Sequence, residues 1–387
     1  MYATRLLSMY KRNPSALSDP PPSGPNSSYL VLLDEEAQTY SCFGLSKNKR
    51  IKDFPFPQNK NLTIASLVGE DTHTYREEAM FLPVLNQPLS SNRYYVIRRK
   101  GKNQGQASTS SMEEDMSTCL CFGIVNDVKP RPLEPFNDYQ QVEIIKKDFG
   151  FCSKSVASDG IPPGLLRAKW WRLYATTPHT YHLSQALGSN DSLRSKLPNF
   201  NFSLSNHCSE SVVVGKWYCP FMFVHEGMKL KEQMNMSMFY ELTLEQRWEK
   251  IFSKENENSV EGDVFVDVVV QTKVAKVGGR DAIWDENRLV DGVLWFKGFD
   301  YVGEEVNVGL SLEVVEGMKW EQERVGWIGA NGREVKVTKV EEFGGKNMWK
   351  KFSCYVLVES FVLRSMNKRM VVTCDYKHSH QTRSKWE

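Results

Sequence analysis

Alternation of apolar and polar residues governs the last third of the chain and limits what it can become. From Val260 onward it is seen in Val264 to Val277, Val293 to Phe299, Val306 to Val315, Glu334 to Val340, Ser353 to Leu363 and Met370 to Tyr376. A period of two sends successive side chains to opposite faces of an extended strand, so each run reads as a strand with one face covered. Gly278-Gly279, Asn331-Gly332 and Gly344-Gly345 supply turns between them. The expectation is a C-terminal antiparallel sheet folded into a sandwich or barrel-like domain. No fixed repeat is visible, which argues against a solenoid or propeller.

The N-terminal half is mixed. Residues 13 to 28 are rich in Pro, Ser and Gly and read as part of a lead-in spanning residues 1–28. Tyr29 to Leu33, Thr39 to Phe43, Ala79 to Val84 and Arg93 to Arg98 are strand-like, and Gly101 to Ser111 reads as a solvated loop. Asn137 with Gln140 resembles a helix start, followed by Tyr139, Val142, Ile145 and Phe149 at helical spacing. Thr243 with Gln246 predicts a second helix near residues 244–253, with Leu244, Trp248, Ile251 and Phe252 on its apolar face. The fold class expected is therefore α+β and β-dominated, with an N-terminal α+β domain over 29–205 and a C-terminal β domain over 206–387.

With 387 residues, 41% of them apolar and 25% charged, the chain has the composition of a globular protein. A net charge of +2 selects no class of partner. The eight cysteines are scattered, and no apolar signal segment opens the sequence, so reduced thiols are expected. Asp267 interrupts the longest apolar run, Val264 to Val270, which falls short of the roughly 18 residues of a membrane span. Arg5, Lys11 and Arg12 imitate a presequence, but Pro14 and Pro20 to Pro22 limit an amphipathic helix there. The expected location is cytoplasmic, with organelle import the alternative.

Leu165 to Tyr174 is the strongest candidate surface. No acid occurs between Asp159 and Asp191. Arg167, Lys169 and Arg172, interleaved with Trp170, Trp171 and Tyr174, supply cations and flat apolar faces suited to anionic ligands, bases or a membrane interface. The competing reading is a strand and its turn with one tryptophan buried. Cys374, His378 and His380 form a Cys-x3-His-x-His cluster that lacks the fourth ligand of a structural zinc site, so no metal is favoured. Cys119 and Cys121 would share one strand face as small apolar groups. The basic run Arg93, Arg98, Arg99, Lys100 and Lys102 reads as a solvated strand edge. Nucleophile-elbow, phosphate-loop, dinucleotide and zinc-protease motifs are absent.

Several phrases are explained by neither periodicity nor composition: Phe54-Pro-Phe-Pro-Gln-Asn-Lys60, Phe81 to Ile97, Met1 to Arg5 running into Ser8 to Ser15, Gly215 to Phe221, and Asp375 to Gln381. On these the chain resembles, end to end, a plant family catalogued as domain of unknown function 1262. That resemblance implies a plant origin and a shared fold, without an assigned activity. It also implies glycine at the position of Trp170. The residues favour a non-enzymatic binding or adaptor module for a protein or anionic ligand, with no cofactor. The alternatives are an enzyme with an unrecognised, thiol- or metal-assisted site and a peripheral membrane-surface protein. Nucleic acid is disfavoured as a partner, and integral membrane insertion is not expected.

Overall fold

The computed structural model describes residues 1–41, 46–68, 73–119, 122–256, 262–300, 302–327, 333–345 and 348–387. Contacts divide the chain into two units interleaved along the sequence. One comprises Met1–Leu187 and Tyr218–Phe239, the other Gly188–Trp217 and Tyr240–Glu387. The sequence reading placed one division at residue 205. The β-dominated class holds in both units.

The first 28 residues are part of the fold rather than a lead-in. Strand β1 (Tyr2–Leu6) runs parallel to β2 (Ser28–Leu32), with Tyr2 opposite Ser28 and Leu6 opposite Leu32. Helix α1 (Leu7–Arg12) follows, and Pro14 opens a short 3-10 turn, where its missing N–H costs nothing. Leu7, Tyr10 and Ala16 then bury against Val31 and Leu89.

The main ladder of the first unit uses β3 (Arg50–Ile51), β4 (Asn61–Val68), β5 (His73–Pro83), β6 (Arg93–Arg98), β7 (Gln141–Lys147), β8 (Gly150–Ser155) and β9 (Arg172–Thr176). Their order is β8-β7-β6-β5-β4-β9-β3. An antiparallel bridge from Phe151 to Trp171 ties β8 to the start of β9, curling the ladder into a barrel around Phe56, Ile64, Phe81, Tyr94, Ile144 and Trp171. Burying each such large apolar side chain contributes about 1.5–3 kcal/mol.

Two N-terminal expectations change. Asn137 does cap, accepting from Tyr139 N at 3.0 Å, but the turn lasts only through Gln140 and the chain continues as β7. Val142 and Ile144 turn into the barrel at period two, where the β-branched side chains pack well. The polar loop at Gly101 to Ser111 is solvated only at its start, since Ala107 to Ser111 are buried. Their backbone is satisfied from neighbours: Ser108 N donates to Val96 O (2.8 Å), Ser110 N to Tyr139 O (2.7 Å) and Ser111 N to Ile161 O (2.9 Å).

The second unit holds β10 (Val212–Pro220) up to Trp217, β11 (Phe239–Glu255) from Tyr240, and the whole of β12 (Val264–Gln271), β13 (Lys273–Val277), β14 (Arg280–Val290), β15 (Val293–Phe299), β16 (Glu305–Ser311), β17 (Glu334–Glu341), β18 (Lys351–Ser365) and β19 (Met370–Trp386). The long sheet runs β16-β15-β14-β13-β19-β18-β11-β10, antiparallel from β16 to β11. β12 and β17 form a separate ribbon that buries Val264 and Val266 on Phe352 and Cys354 of the long sheet and on Trp349 just before β18. That stacking supplies the second layer of a sandwich. The turn at Gly278-Gly279 joins β13 to β14 with both φ angles positive, as a tight hairpin requires. Asn331-Gly332 lies outside the described residues.

The helix expected over 244–253 is strand. β11 pairs with β18 from Tyr240 opposite Ser365 to Glu255 opposite Lys351. Glu245, Arg247 and Glu249, which imitated a helix's polar face, pair across strands with Arg364, Asp375 and Lys377. Conversely, the alternation expected from Val306 to Val315 stops at Ser311. Helix α5 (Leu312–Glu323) follows, burying Val314, Met318, Glu321 and Gln322 at helical spacing. Among the described residues, no helix is long and apolar enough to cross a membrane.

Candidate functional site

The two adjacent tryptophans have opposite fates because the backbone turns between them. Asp127 Oδ1 accepts from Gly164 N at 3.1 Å and also takes the Arg167 guanidinium, fixing the short helix α2 (Gly164–Arg167) at both ends. The chain then passes through Trp170 at φ +58°, a left-handed conformation uncommon for any residue with a Cβ. This is where the family resemblance implies a glycine. The turn puts the Trp170 ring outside, 55% exposed, and delivers Trp171 to the barrel core at 0%. Trp171 stacks on Phe81 with ring centres 5.9 Å apart, and its Nε1 donates to Ser153 Oγ at 3.3 Å.

The approach of β8 to this corner needs Gly150. A Cβ there would lie 2.4 Å from the Trp171 carbonyl oxygen and 2.8 Å from that of Trp170. The β7-β8 turn consequently seats Phe149 beside Trp170, with ring centres 6.4 Å apart and planes at 78°. Phe149 is itself 64% exposed. Register adds Arg50: it stands opposite Tyr174 in the ladder, and its Nη2 donates to Phe149 O at 3.0 Å. Along β9, Leu173 and Ala175 are buried while Arg172 is exposed and Tyr174 partly so.

The outside of the barrel thus brings Trp170, Phe149, Arg50, Arg172 and Tyr174 together, with Lys169 exposed next to them. Among the described residues, no carboxylate pairs with Arg50, Lys169 or Arg172, and Asp148 in the same turn is the adjacent acid. Two candidates from the sequence do not belong to this surface. Arg167 is held by Asp127, and Trp171 is core, packed between Phe81 and Phe151. Phe149 and Arg50 were missed. A signal existed for Phe149, since Lys-Lys-Asp-Phe-Gly at 146–150 is a turn sequence. Arg50 needed the register.

The other candidates are placed as follows. In the basic run, Arg98 pairs with Glu77, Lys100 pairs with Glu78 at 2.6 Å, and Arg99 donates to Asn61. Of the Cys119 and Cys121 pair, Cys119 closes the strand Met116–Cys119 and Cys121 lies outside the described residues. Cys374 is sealed in β19, and burial pushes its thiol far above the ordinary range. His378 is also buried, at 1% exposure, whereas His380 is exposed, their ring centres 5.6 Å apart. Among the described residues, no three His, Cys, Asp or Glu side chains are arranged to hold a metal ion.

What His378 does approach is Glu359, with its Nε2 3.4 Å from Glu359 Oε2. That carboxylate is the centre of a buried network in the second unit. Arg194 grips both of its oxygens, Gln246 Nε2 donates to Oε1 at 2.8 Å, and Arg194 also reaches Glu321 Oε2 at 3.1 Å. Burial alone would raise the Glu359 carboxyl, but His378 and Arg194 outweigh it and hold the group down at about 2.

No curated protein matches this chain. Residues 23–148 match the family model described as Protein of unknown function (DUF1262). The matched span contains the Phe54 to Lys60 and Phe81 to Ile97 phrases, while the phrases at Met1, Gly215 and Asp375 lie beyond it. Among solved structures, the crystal structure of Cry35Ab1 aligns over 86% of this chain and 90% of its own, with 10% identity and a TM-score of 0.47.

Proposed function

We propose that the protein is a non-enzymatic binding module, and that the first unit grips an anionic segment of a partner through Trp170, Phe149, Lys169, Arg172 and Arg50. The supporting observation is the exposed Trp170–Phe149 ring pair beside Arg50, Lys169 and Arg172, with which no carboxylate pairs among the described residues. Exposed aromatic rings cost solvation and give a partner large contact area at low conformational cost, and arginine favours planar, bidentate anions. Tyr174 extends the surface along β9.

The test uses the full chain and a fluorescein-labelled polyglutamate peptide, read by anisotropy. The Lys169→Ala/Trp170→Gly/Arg172→Ala variant, with Trp171 retained, is expected to lose binding without losing its thermal transition. A folded variant that binds as well as the natural protein removes this surface from the account. Flotation with phosphatidylserine vesicles separates the membrane reading: salt-sensitive flotation without peptide binding would replace the partner segment by a lipid surface.

A further inference from the structure

The barrel of the first unit opens at one end into a cavity of about 330 Å³. Its lining follows from the strand period of two. On β4, Leu62 and Ile64 face the core and Ser66 continues their row; on β5 the row is Phe81, Ala79, Glu77 and Tyr75; on β6 it is Tyr94, Val96 and Arg98. Register sets Tyr75 opposite Ser66 and Arg98 opposite Ala79, so all three rows change from apolar to polar toward the same end. Ser66, Tyr75, Glu77 and Arg98 line the cavity there, together with Leu165 of the barrel core. The mouths of β-barrels are a preferred place for small-molecule sites, and the volume lies within their range of roughly 300–1,000 Å³.

Two charged groups of this mouth keep both open surface and free hydrogen-bonding capacity. The Arg98 side chain is 21% exposed and pairs through Nη2 with Glu77 Oε1. Glu77 Oε2 accepts from the Tyr75 hydroxyl at 2.9 Å. A guanidinium carries five N–H donors, so Arg98 retains donors even with the Tyr75 hydroxyl beside it. The Asp127 side chain is 50% exposed and also lines the cavity. Its Oδ1 accepts from Gly164 N and from Arg167, whereas Oδ2 accepts no hydrogen bond among the described residues. Gly164 keeps that oxygen accessible. A Cβ at this glycine would press directly on Asp127 Oδ2, and the glycine is itself part of the cavity wall.

We infer that the mouth of the barrel binds a free α-amino acid with an apolar side chain, its carboxylate on the Arg98 guanidinium and its ammonium on Asp127 Oδ2. A guanidinium suits a planar carboxylate, and an unpartnered carboxylate oxygen suits an ammonium, which only donates. The charges of the site point to a zwitterion. Glu77 pairs with Arg98 and Asp127 with Arg167, so two carboxylates meet two guanidinium groups. A ligand with one charge of each sign leaves that balance intact, whereas a simple anion or amine would add an unmatched charge. Pro130, Pro163 and Leu165 supply apolar wall for the ligand's side chain. The Glu77–Arg98 pair and the seating of Asp127 on Gly164 N hold both charged groups in place before a ligand arrives, which lowers the ordering cost of binding. This site is separate from the Trp170 surface and does not depend on that surface's role.

The experiment is saturation-transfer difference NMR on the full chain with L-leucine, L-valine, L-methionine and L-phenylalanine at millimolar concentration. Each is run beside its N-acetyl form, which lacks the ammonium, and its amide, which lacks the free carboxylate. At least one amino acid is expected to receive saturation, with both of its blocked forms bound about tenfold more weakly. Arg98→Gln and Asp127→Asn should each weaken the amino acid by about the same factor, and Trp170→Gly should retain it. Asparagine at 127 also loosens the hold on Arg167, so the blocked ligands provide a reading on the natural protein that no variant's folding can disturb. Absence of transfer to every amino acid overturns the inference. So does a blocked form that binds as well as its parent, or binding that is lost with Trp170→Gly and kept in Arg98→Gln.

Discussion

Replacing Trp170 by glycine should uncouple stability from binding. The left-handed conformation at φ +58° costs an L-residue about 1–2 kcal/mol, a cost that glycine avoids. Against this, glycine adds about 0.5–1 kcal/mol of unfolded-chain entropy. Loss of the half-exposed Trp170–Phe149 ring contact removes roughly 0.5 kcal/mol more. The terms nearly cancel, so Trp170→Gly should stay within about 1 kcal/mol of the natural protein, or roughly 2–4 °C in the midpoint. Trp170→Ala loses the same ring contact but keeps the left-handed strain, and should be about 1 kcal/mol less stable than the glycine variant. Urea denaturation of the three proteins measures these differences, and peptide anisotropy should show both variants equally weakened. An alanine variant as stable as the glycine variant refutes the backbone argument. A loss of several kcal/mol on Trp170→Gly shows that the ring belongs to the core.

Trp171→Ala should cost about 3–5 kcal/mol, since it empties the barrel centre between Phe81 and Phe151; calorimetry reads this as a large fall in the midpoint. Gly150→Ala forces a Cβ against the Trp171 carbonyl and should destabilise by about 1–3 kcal/mol, measured by the same melt. Glu359, held at about 2 from an ordinary 4.5, contributes stability that is present above pH 4.5 and lost as pH falls toward 2. That amounts to about 3 kcal/mol at most. Burial lifts Glu321 in the opposite sense and reduces the net effect. Glu359→Gln should flatten this acid limb in pH-dependent denaturation. Cys374 should resist iodoacetamide at neutral pH until the protein unfolds, as followed by peptide mass mapping.

The strands of the C-terminal half were legible because their burial is one-sided and leaves a period of two in the sequence, as in Val293 to Phe299. The helix readings at Asn137 and Leu244 failed because capping patterns are local, whereas β7 and β11 are decided by pairing with distant strands. Charged residues such as Arg247 look like a helix's wet face until Asp375, far along the chain, is placed opposite. At the candidate surface, the cations and aromatic residues of 167–174 were visible, but the inward or outward choice was not. That choice rests on a single left-handed residue and on Gly150, which lets β8 approach the Trp170 and Trp171 carbonyls. Phe149 and Arg50 joined through a turn and a register that only the closed ladder sets. The Glu359–Arg194–Gln246 network draws on residues from well-separated segments of the chain and leaves no local motif.

The most direct test places a photo-crosslinking benzoylphenylalanine at position 149 of the full chain, with position 265, an exposed phenylalanine on β12, as the control. A discrete, salt-sensitive adduct is expected from position 149 in cell extract, abolished by Lys169→Ala/Arg172→Ala and absent from position 265. Adducts that are the same from both positions, or that survive removal of the two cations, would contradict the proposed surface.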